Sequence, residues 1–169
     1  MGLNLIGFKP ANKKTVLIGL ISLIIGILFY VFFRPGLSTY FQREFMKIDI
    51  LAHHFPTILG RVGGSFPEFI HPFAFSLISM GLISKGTKSR LLICTVFFSM
   101  NLFFEFGQKY SDFVVRFIPN SFNSLFIIEN TKNYFVTGTF SVFDLAAIFL
   151  GSIMAFVIAE KISTKEETS

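Results

Sequence analysis

Long apolar runs alternate with short polar segments along the chain, and this pattern predicts membrane-spanning helices. Four runs have the roughly 17–25 residues that a helix needs to cross the hydrocarbon core. The predicted spans cover residues 15–33, 67–83, 89–106 and 140–159. We therefore expect an all-α fold, a single integral membrane domain over residues 1–169 that forms a bundle of four transmembrane helices.

The two long connections between these spans have helical patterns of their own. In residues 37–55, apolar side chains recur at helical spacing and Pro56 ends the run, which predicts an amphipathic helix at the membrane interface. Residues 113–128 hold two apolar clusters that are too short to span, which favours an interfacial or re-entrant segment. Interfacial helices are thus expected in both connections.

Composition agrees with a membrane protein and narrows the choice of partners. The chain is 52% hydrophobic and 15% charged, whereas a soluble domain carries about 25% charged residues. The formal charge of +5 lies in the flanks of the spans and forms no extended basic face, so nucleic acid is not an expected partner. The single Cys94 excludes an intrachain disulfide and a cysteine metal site. The chain contains no HExxH, GxxxxGK[ST] or GxSxG pattern, and we expect no metal and no cofactor.

The distribution of lysine and arginine predicts the orientation of the spans. Positive residues are dense in the N-terminal tail, in the short loop from Lys85 to Arg90 and in the C-terminal tail, and they are sparser in the long connections. Short positive loops stay on the cytoplasmic side. We therefore expect a protein of the bacterial inner membrane with both termini in the cytoplasm and both long connections outside.

Polar side chains interrupt the second, third and fourth spans near their expected outer ends. A titratable group in a membrane helix is costly, so it marks a site or an internal partner. Under the predicted orientation these groups meet at one level in the outer leaflet. The candidates for acid/base catalysis are Glu105, Asp144 and His71, and the candidates for ligand binding are Gln108, Asn101 and Ser141.

Each of these groups also has a purely structural explanation. The polar stripe of the third span could supply hydrogen bonds that hold the helices together. Asp144 follows Ser141 by three residues, which fits a capping box at the start of the fourth helix. His71 could be an ordinary interfacial side chain. Site and structural support therefore both remain open for every candidate.

Two short motifs and one histidine carry a family resemblance. An E-x-x-Q step that begins at Glu105 ends the third span, and a G-x-x-S-x-x-D step that begins at Gly138 opens the fourth. His71 lies early in the second span. This arrangement resembles the VanZ-like family of small bacterial membrane proteins over roughly residues 66–160. The resemblance implies a role in the cell envelope at the outer leaflet and does not specify a reaction.

Three functional hypotheses follow. The first is a VanZ-like membrane protein with an outward-opening polar pocket that binds or modifies a lipid-linked envelope molecule; whether it is an enzyme stays open. Its partners would be membrane lipids and either a lipid-linked envelope precursor or a partner membrane protein. The second is a non-enzymatic assembly subunit whose polar stripe packs against another membrane protein. The third, a small transporter, is disfavoured because four spans without an internal repeat do not suit that fold.

Overall fold

Four long helices and one short helix make up most of the described chain, which comprises residues 12–33, 64–117 and 134–167 of a computed structural model. A single helical turn at residues 134–137 precedes the last helix. No strand occurs within these ranges. The helices are α1 (Lys13–Phe33), α2 (Phe66–Ile83), α3 (Thr87–Lys109), α4 (Ser111–Phe117) and α5 (Val142–Glu167).

The long helices coincide with the predicted spans. Three of them, α2, α3 and α5, are long and apolar enough to cross a membrane. α1 occupies the first predicted span, and its role as a fourth crossing stays a prediction. The short α4 lies in the second long connection, most of which, like the predicted interfacial helix at residues 37–55, is outside the described residues.

Long helices that follow one another along the chain run antiparallel, and α2 lies at the centre of the bundle. On α1, Gly19 lies against Ile78 and Gly26 against Ile70, so the two helices run in opposite directions. α2 also packs extensively on α5, whereas α1 barely touches α5. The start of α1, the end of α2, the start of α3 and the end of α5 therefore share one end of the bundle. We call it the basic end, after Lys13, Lys14, Lys85, Lys88, Arg90, Lys161 and Lys165.

A three-residue connection, residues 84–86, reverses the chain between α2 and α3. Gly86 adopts φ of 156° and ψ of 176°, a conformation that is essentially restricted to glycine. The short reversal makes α2 and α3 neighbours, and it fixes which residues of the two helices lie side by side. Met80 and Cys94 are one such pair, with their sulfur atoms 3.8 Å apart.

Small residues allow α5 to approach α2 closely. Gly151, Ala155 and Ala159 recur at intervals of four and are all buried. A Cβ atom on Gly151 would collide with the backbone carbonyl of Phe69. Membrane helices use such small-residue seams because lipid supplies no hydrophobic force between them and association depends on close packing. Large side chains, Leu77 among them at 0% exposure, fill the space beside the seam.

The outer surface of the bundle is apolar. Large hydrophobic side chains point outward along α1, α3 and α5, and several are about half exposed, including Leu17, Ile24, Leu92 and Leu150. A water-facing surface rarely carries continuous apolar patches of this kind. The arrangement suits contact with lipid.

An ion pair joins α3 to α5 at the basic end. Arg90 is only 8% exposed, and its Nε donates to Oε1 of Glu160 at 2.7 Å while Nη2 donates to Oε2 at 3.1 Å. Thr87 adds a hydrogen bond from its hydroxyl to Oε2 at 3.2 Å. The two-point contact sets the register of α3 against α5, and so it helps to position the polar residues at the opposite end.

Candidate functional site

The N-terminus of α5 is capped by Ser141. Its Oγ accepts a hydrogen bond from the backbone N–H of Phe143 at 3.2 Å, which satisfies one of the unpaired donors in the first turn. In a complete capping box, Asp144 would accept the backbone N–H of Ser141 in return. In this structure that N–H donates to a different carboxylate.

Glu105, on the last turns of α3, supplies the acceptor. The backbone N–H of Ser141 donates to Oε1 of Glu105 at 2.6 Å. Glu105 is 4% exposed, so its carboxylate lies inside the bundle and not toward lipid. Its negative charge also lies at the positive end of the α5 dipole, which stabilises it there. The capping-box interpretation of Ser141 and Asp144 is thus replaced by a cap from a separate helix.

Asp144 lies one turn into α5, beside this contact. Its side chain is half-buried, and its carboxylate is close enough to that of Glu105 for the two to interact electrostatically. Within the described ranges no hydrogen-bond donor contacts the Asp144 carboxylate. Two carboxylates repel each other, and a shared proton, an amine or a cation relieves that repulsion. The pair can therefore hold a positively charged or proton-donating group.

Gln108 borders the same region. Its side chain packs directly against Gly138, where a Cβ atom would overlap the amide group of Gln108. Glycine at position 138 thus lets the segment before α5 approach the end of α3. The half-buried Gln108 is held three residues from Glu105 along α3, on the side that faces the start of α5.

An aromatic segment before α5 covers the end of α3. Phe135, in the helical turn 134–137, is 2% exposed, and its ring packs on Gly107. The same ring stacks on Phe104 at a centroid distance of 5.9 Å. Phe135 was not among the predicted site residues, because nothing in the local pattern distinguishes it among 25 phenylalanines.

A positive charge lies at the end of α3, beside the segment before α5. The ammonium group of Lys109 is 4.7 Å from the ring centroid of Phe140 and 5.6 Å from that of Tyr110, which are cation–π distances. Phe140 directly precedes Ser141. Lys109 was not among the predicted site residues, although its position one residue after Gln108 was a usable signal.

The remaining two candidates contact other partners. Asn101 donates from Nδ2 to the backbone carbonyl of Phe97 at 2.8 Å, within its own helix. His71 is exposed, and its ring lies 6.3 Å from that of Phe75, which in turn stacks on Phe97 at 6.1 Å. An aromatic row therefore connects His71 to α3 one turn before Asn101.

The register of α2 against α5 separates His71 from Asp144. Phe69 lies beside Gly151, and Gly151 is seven residues from Asp144, or about 10 Å along the helix axis. His71 follows Phe69 on α2, which runs parallel to α5. The described contacts thus bring together the carboxylates, Ser141 and Gln108, and a direct role of His71 stays a prediction.

The described ranges contain no group of three histidine, cysteine, aspartate or glutamate side chains that could hold a metal ion. The chemistry of the site, as far as the structure describes it, is that of two carboxylates, an amide and a nearby ammonium group. The chain matches no protein-family model, no curated protein and no solved structure.

Proposed function

We propose that this chain is a VanZ-like protein of the bacterial inner membrane whose outer end binds or modifies the polar part of a lipid-linked envelope molecule. In this proposal α1 is the fourth crossing. The long connection between α1 and α2 and the long connection between α3 and α5 both face away from the cytoplasm. The proposed binding site would be formed by the last turns of α3, the segment before α5 and the first turn of α5.

The clustering of lysines at one end of the bundle supports the orientation. The basic end collects positive residues from three separate parts of the chain, which fits a cytoplasmic surface. The opposite end holds both carboxylates. If the basic end is cytoplasmic, the carboxylates lie in the outer leaflet, where lipid-linked envelope molecules present their headgroups.

The contact between Glu105 and the start of α5 is the observation that carries the proposal. A buried carboxylate with a second carboxylate beside it is costly inside a membrane bundle. Packing of the helices does not by itself require a pair of carboxylates. The hydrogen bond from Ser141 fixes the position of Glu105, while Asp144 has no such partner among the described residues. A few polar groups placed together in otherwise apolar surroundings are typical of a binding site.

Each group has a role in the proposed site. Asp144 would accept a proton or a hydrogen bond from a hydroxyl or amine of the ligand, acting as the base in a modifying reaction or as an anchor in simple binding. Glu105, held in place by α5, would complete the negative pair. Gln108 would orient the ligand, and Lys109 would attract a phosphate at the rim.

A non-enzymatic assembly subunit is the second candidate, and one specific observation favours it. Glu105 already has a structural task, because it caps a helix and joins α3 to α5. The exposed apolar faces of α3 and α5 could then contact another membrane protein instead of lipid. Under this alternative the carboxylate of Asp144 would have no chemical role.

Isosteric amides distinguish the two candidates. The full chain, and its Glu105→Gln and Asp144→Asn variants, would be purified from a bacterial membrane in mild detergent, and retained lipids would be identified by native mass spectrometry. We expect wild type to retain a lipid-linked species, and each amide to lower its retention by about tenfold, equivalent to about 1.4 kcal/mol. Thermal unfolding should change little, since glutamine can still accept the Ser141 N–H.

Asp112→Asn is the matched control, because Asp112 is an exposed carboxylate on α4 just beyond the end of α3. It should retain the same lipids as wild type. Retention that is unchanged in both amide variants would refute a carboxylate site and leave the assembly role.

A further inference from the structure

A groove separates α1 from α5 at the basic end, far from the carboxylates. It encloses about 470 Å³ and is lined by Lys14, Leu17, Ile18, Ile162 and Lys165. The groove exists because α1 packs along α2 and barely touches α5, so the two outer helices leave a gap between them.

The lining of the groove combines two cations with an apolar floor. Lys14 lies in the first turn of α1 and Lys165 near the end of α5, and both are exposed. Leu17 and Ile162 supply apolar lining, and Leu17 is 57% exposed. Two positive groups at the rim of an apolar groove match a ligand that has an anionic head and a hydrocarbon tail.

We propose that this groove binds one anionic phospholipid. Its phosphate would lie between Lys14 and Lys165, and one acyl chain would follow the apolar surface of α1 past Leu17 and Ile21. Lysines at helix ends extend their aliphatic stems along apolar surface and place the ammonium at headgroup level, which is the geometry that this contact needs.

Charge selects this occupant over a zwitterionic lipid. The basic end carries lysines from three parts of the chain, and acidic lipid is attracted to such clusters by about five- to sixfold for each lysine near the surface. Two lysines at one headgroup would therefore favour an anionic over a zwitterionic lipid by about thirtyfold. The site is independent of the proposed outer pocket, because it lies at the opposite end of the bundle and uses none of the same residues.

The test compares two lipids that differ in headgroup charge. The full chain would be titrated in detergent with dioleoyl phosphatidylglycerol and with dioleoyl phosphatidylcholine, and bound lipid counted by native mass spectrometry. We expect one phosphatidylglycerol to bind about thirtyfold more tightly than phosphatidylcholine. The preference should weaken at high salt, since the lysines are exposed.

Two variants locate the site. Lys14→Gln combined with Lys165→Gln should remove most of the preference, and Leu17→Glu should weaken binding by placing a negative charge beside the phosphate. Because Leu17 and both lysines are exposed, and contacts of exposed side chains contribute little to stability, the thermal unfolding temperature without added lipid should change little.

Lys88→Gln combined with Lys161→Gln is the matched control, since it removes two exposed charges from the same end without touching the groove. It should retain the preference. Equal binding of both lipids by wild type, or an equal loss in the groove variant and in the control, would overturn the proposal in favour of general attraction to a basic surface.

Discussion

The carboxylate of Glu105 accepts the backbone N–H of Ser141, so the end of α3 caps the start of α5. This single contact buries a charge, satisfies a helix terminus and joins two helices that are separated by more than thirty residues of chain. It also places Asp144 beside Glu105, since Asp144 is three residues after the capped serine. The hydrogen bond is the reason that the two carboxylates meet.

Stability measurements on two variants should distinguish the contribution of the Glu105 hydrogen bond from that of the Glu105 charge. Glu105→Ala leaves the half-buried Ser141 N–H without its acceptor, which should lower the free energy of unfolding by about 1–3 kcal/mol. Glu105→Gln keeps an acceptor and loses only the interaction of the charge with the helix dipole, about 0.3–1 kcal/mol. Thermal unfolding of the purified protein in detergent would measure both.

A double-mutant cycle with Ser141→Ala provides the control. The serine hydroxyl bonds Phe143, and its removal should cost about 0.5–2 kcal/mol through the cap alone. Because the backbone N–H of residue 141 survives that change, the effects of Ser141→Ala and Glu105→Gln should be nearly additive. Equal stability of wild type and Glu105→Ala would show that the bond contributes nothing to the fold.

The seam between α2 and α5 should not tolerate a larger residue at position 151. Gly151→Val would force a side chain against the backbone of Phe69, and overpacking of this kind costs about 1–3 kcal/mol. Gly64→Val is the control, because a Cβ atom there meets nothing within 4 Å. The measurement is again thermal unfolding, and equal shifts for the two valines would contradict the close approach.

The ion pair at the basic end should be more costly to break than to replace. Arg90→Met leaves Glu160 without its main partner, and removing one member of a buried pair costs roughly 3–5 kcal/mol. We expect the lower end of that range, since the side chain of Glu160 is 24% exposed. The double variant Arg90→Met with Glu160→Met should recover much of the loss in thermal unfolding. A double variant that is less stable than Arg90→Met would mean that the pair itself contributes strongly.

The positions of the helices could be predicted from sequence because hydrophobic length is a local property. Each long apolar run became a helix, although α5 begins only after its cap at Ser141 and continues beyond residue 159. The burial of Glu105 also followed from its apolar surroundings in α3. These features depend on residues close to one another in the chain.

The partner of Glu105 could not be predicted, because it depends on tertiary contact. The local sequence predicted that the Ser141 N–H donates to Asp144, three residues away. In the structure it donates to Glu105, thirty-six residues away. Phe135 was missed for the same reason. The four-residue spacing of Gly151, Ala155 and Ala159 was visible in the sequence and would have located the contact face of α5.

Thiol labelling should establish which end of the bundle faces outward. The parent chain has one cysteine, Cys94, which is 6% exposed and should not react. Single cysteines would be introduced at Thr139, an exposed position beside the carboxylates, and at Lys88, an exposed position at the basic end. A membrane-impermeant maleimide added to intact bacterial cells should label Thr139→Cys and not Lys88→Cys, because the positive loop stays in the cytoplasm. Both variants should label after the membrane is permeabilised, which shows that each thiol is reachable. Labelling of Lys88→Cys alone in intact cells would reverse the orientation, and it would place the Glu105–Asp144 pair in the cytoplasmic leaflet, away from outward-facing envelope headgroups.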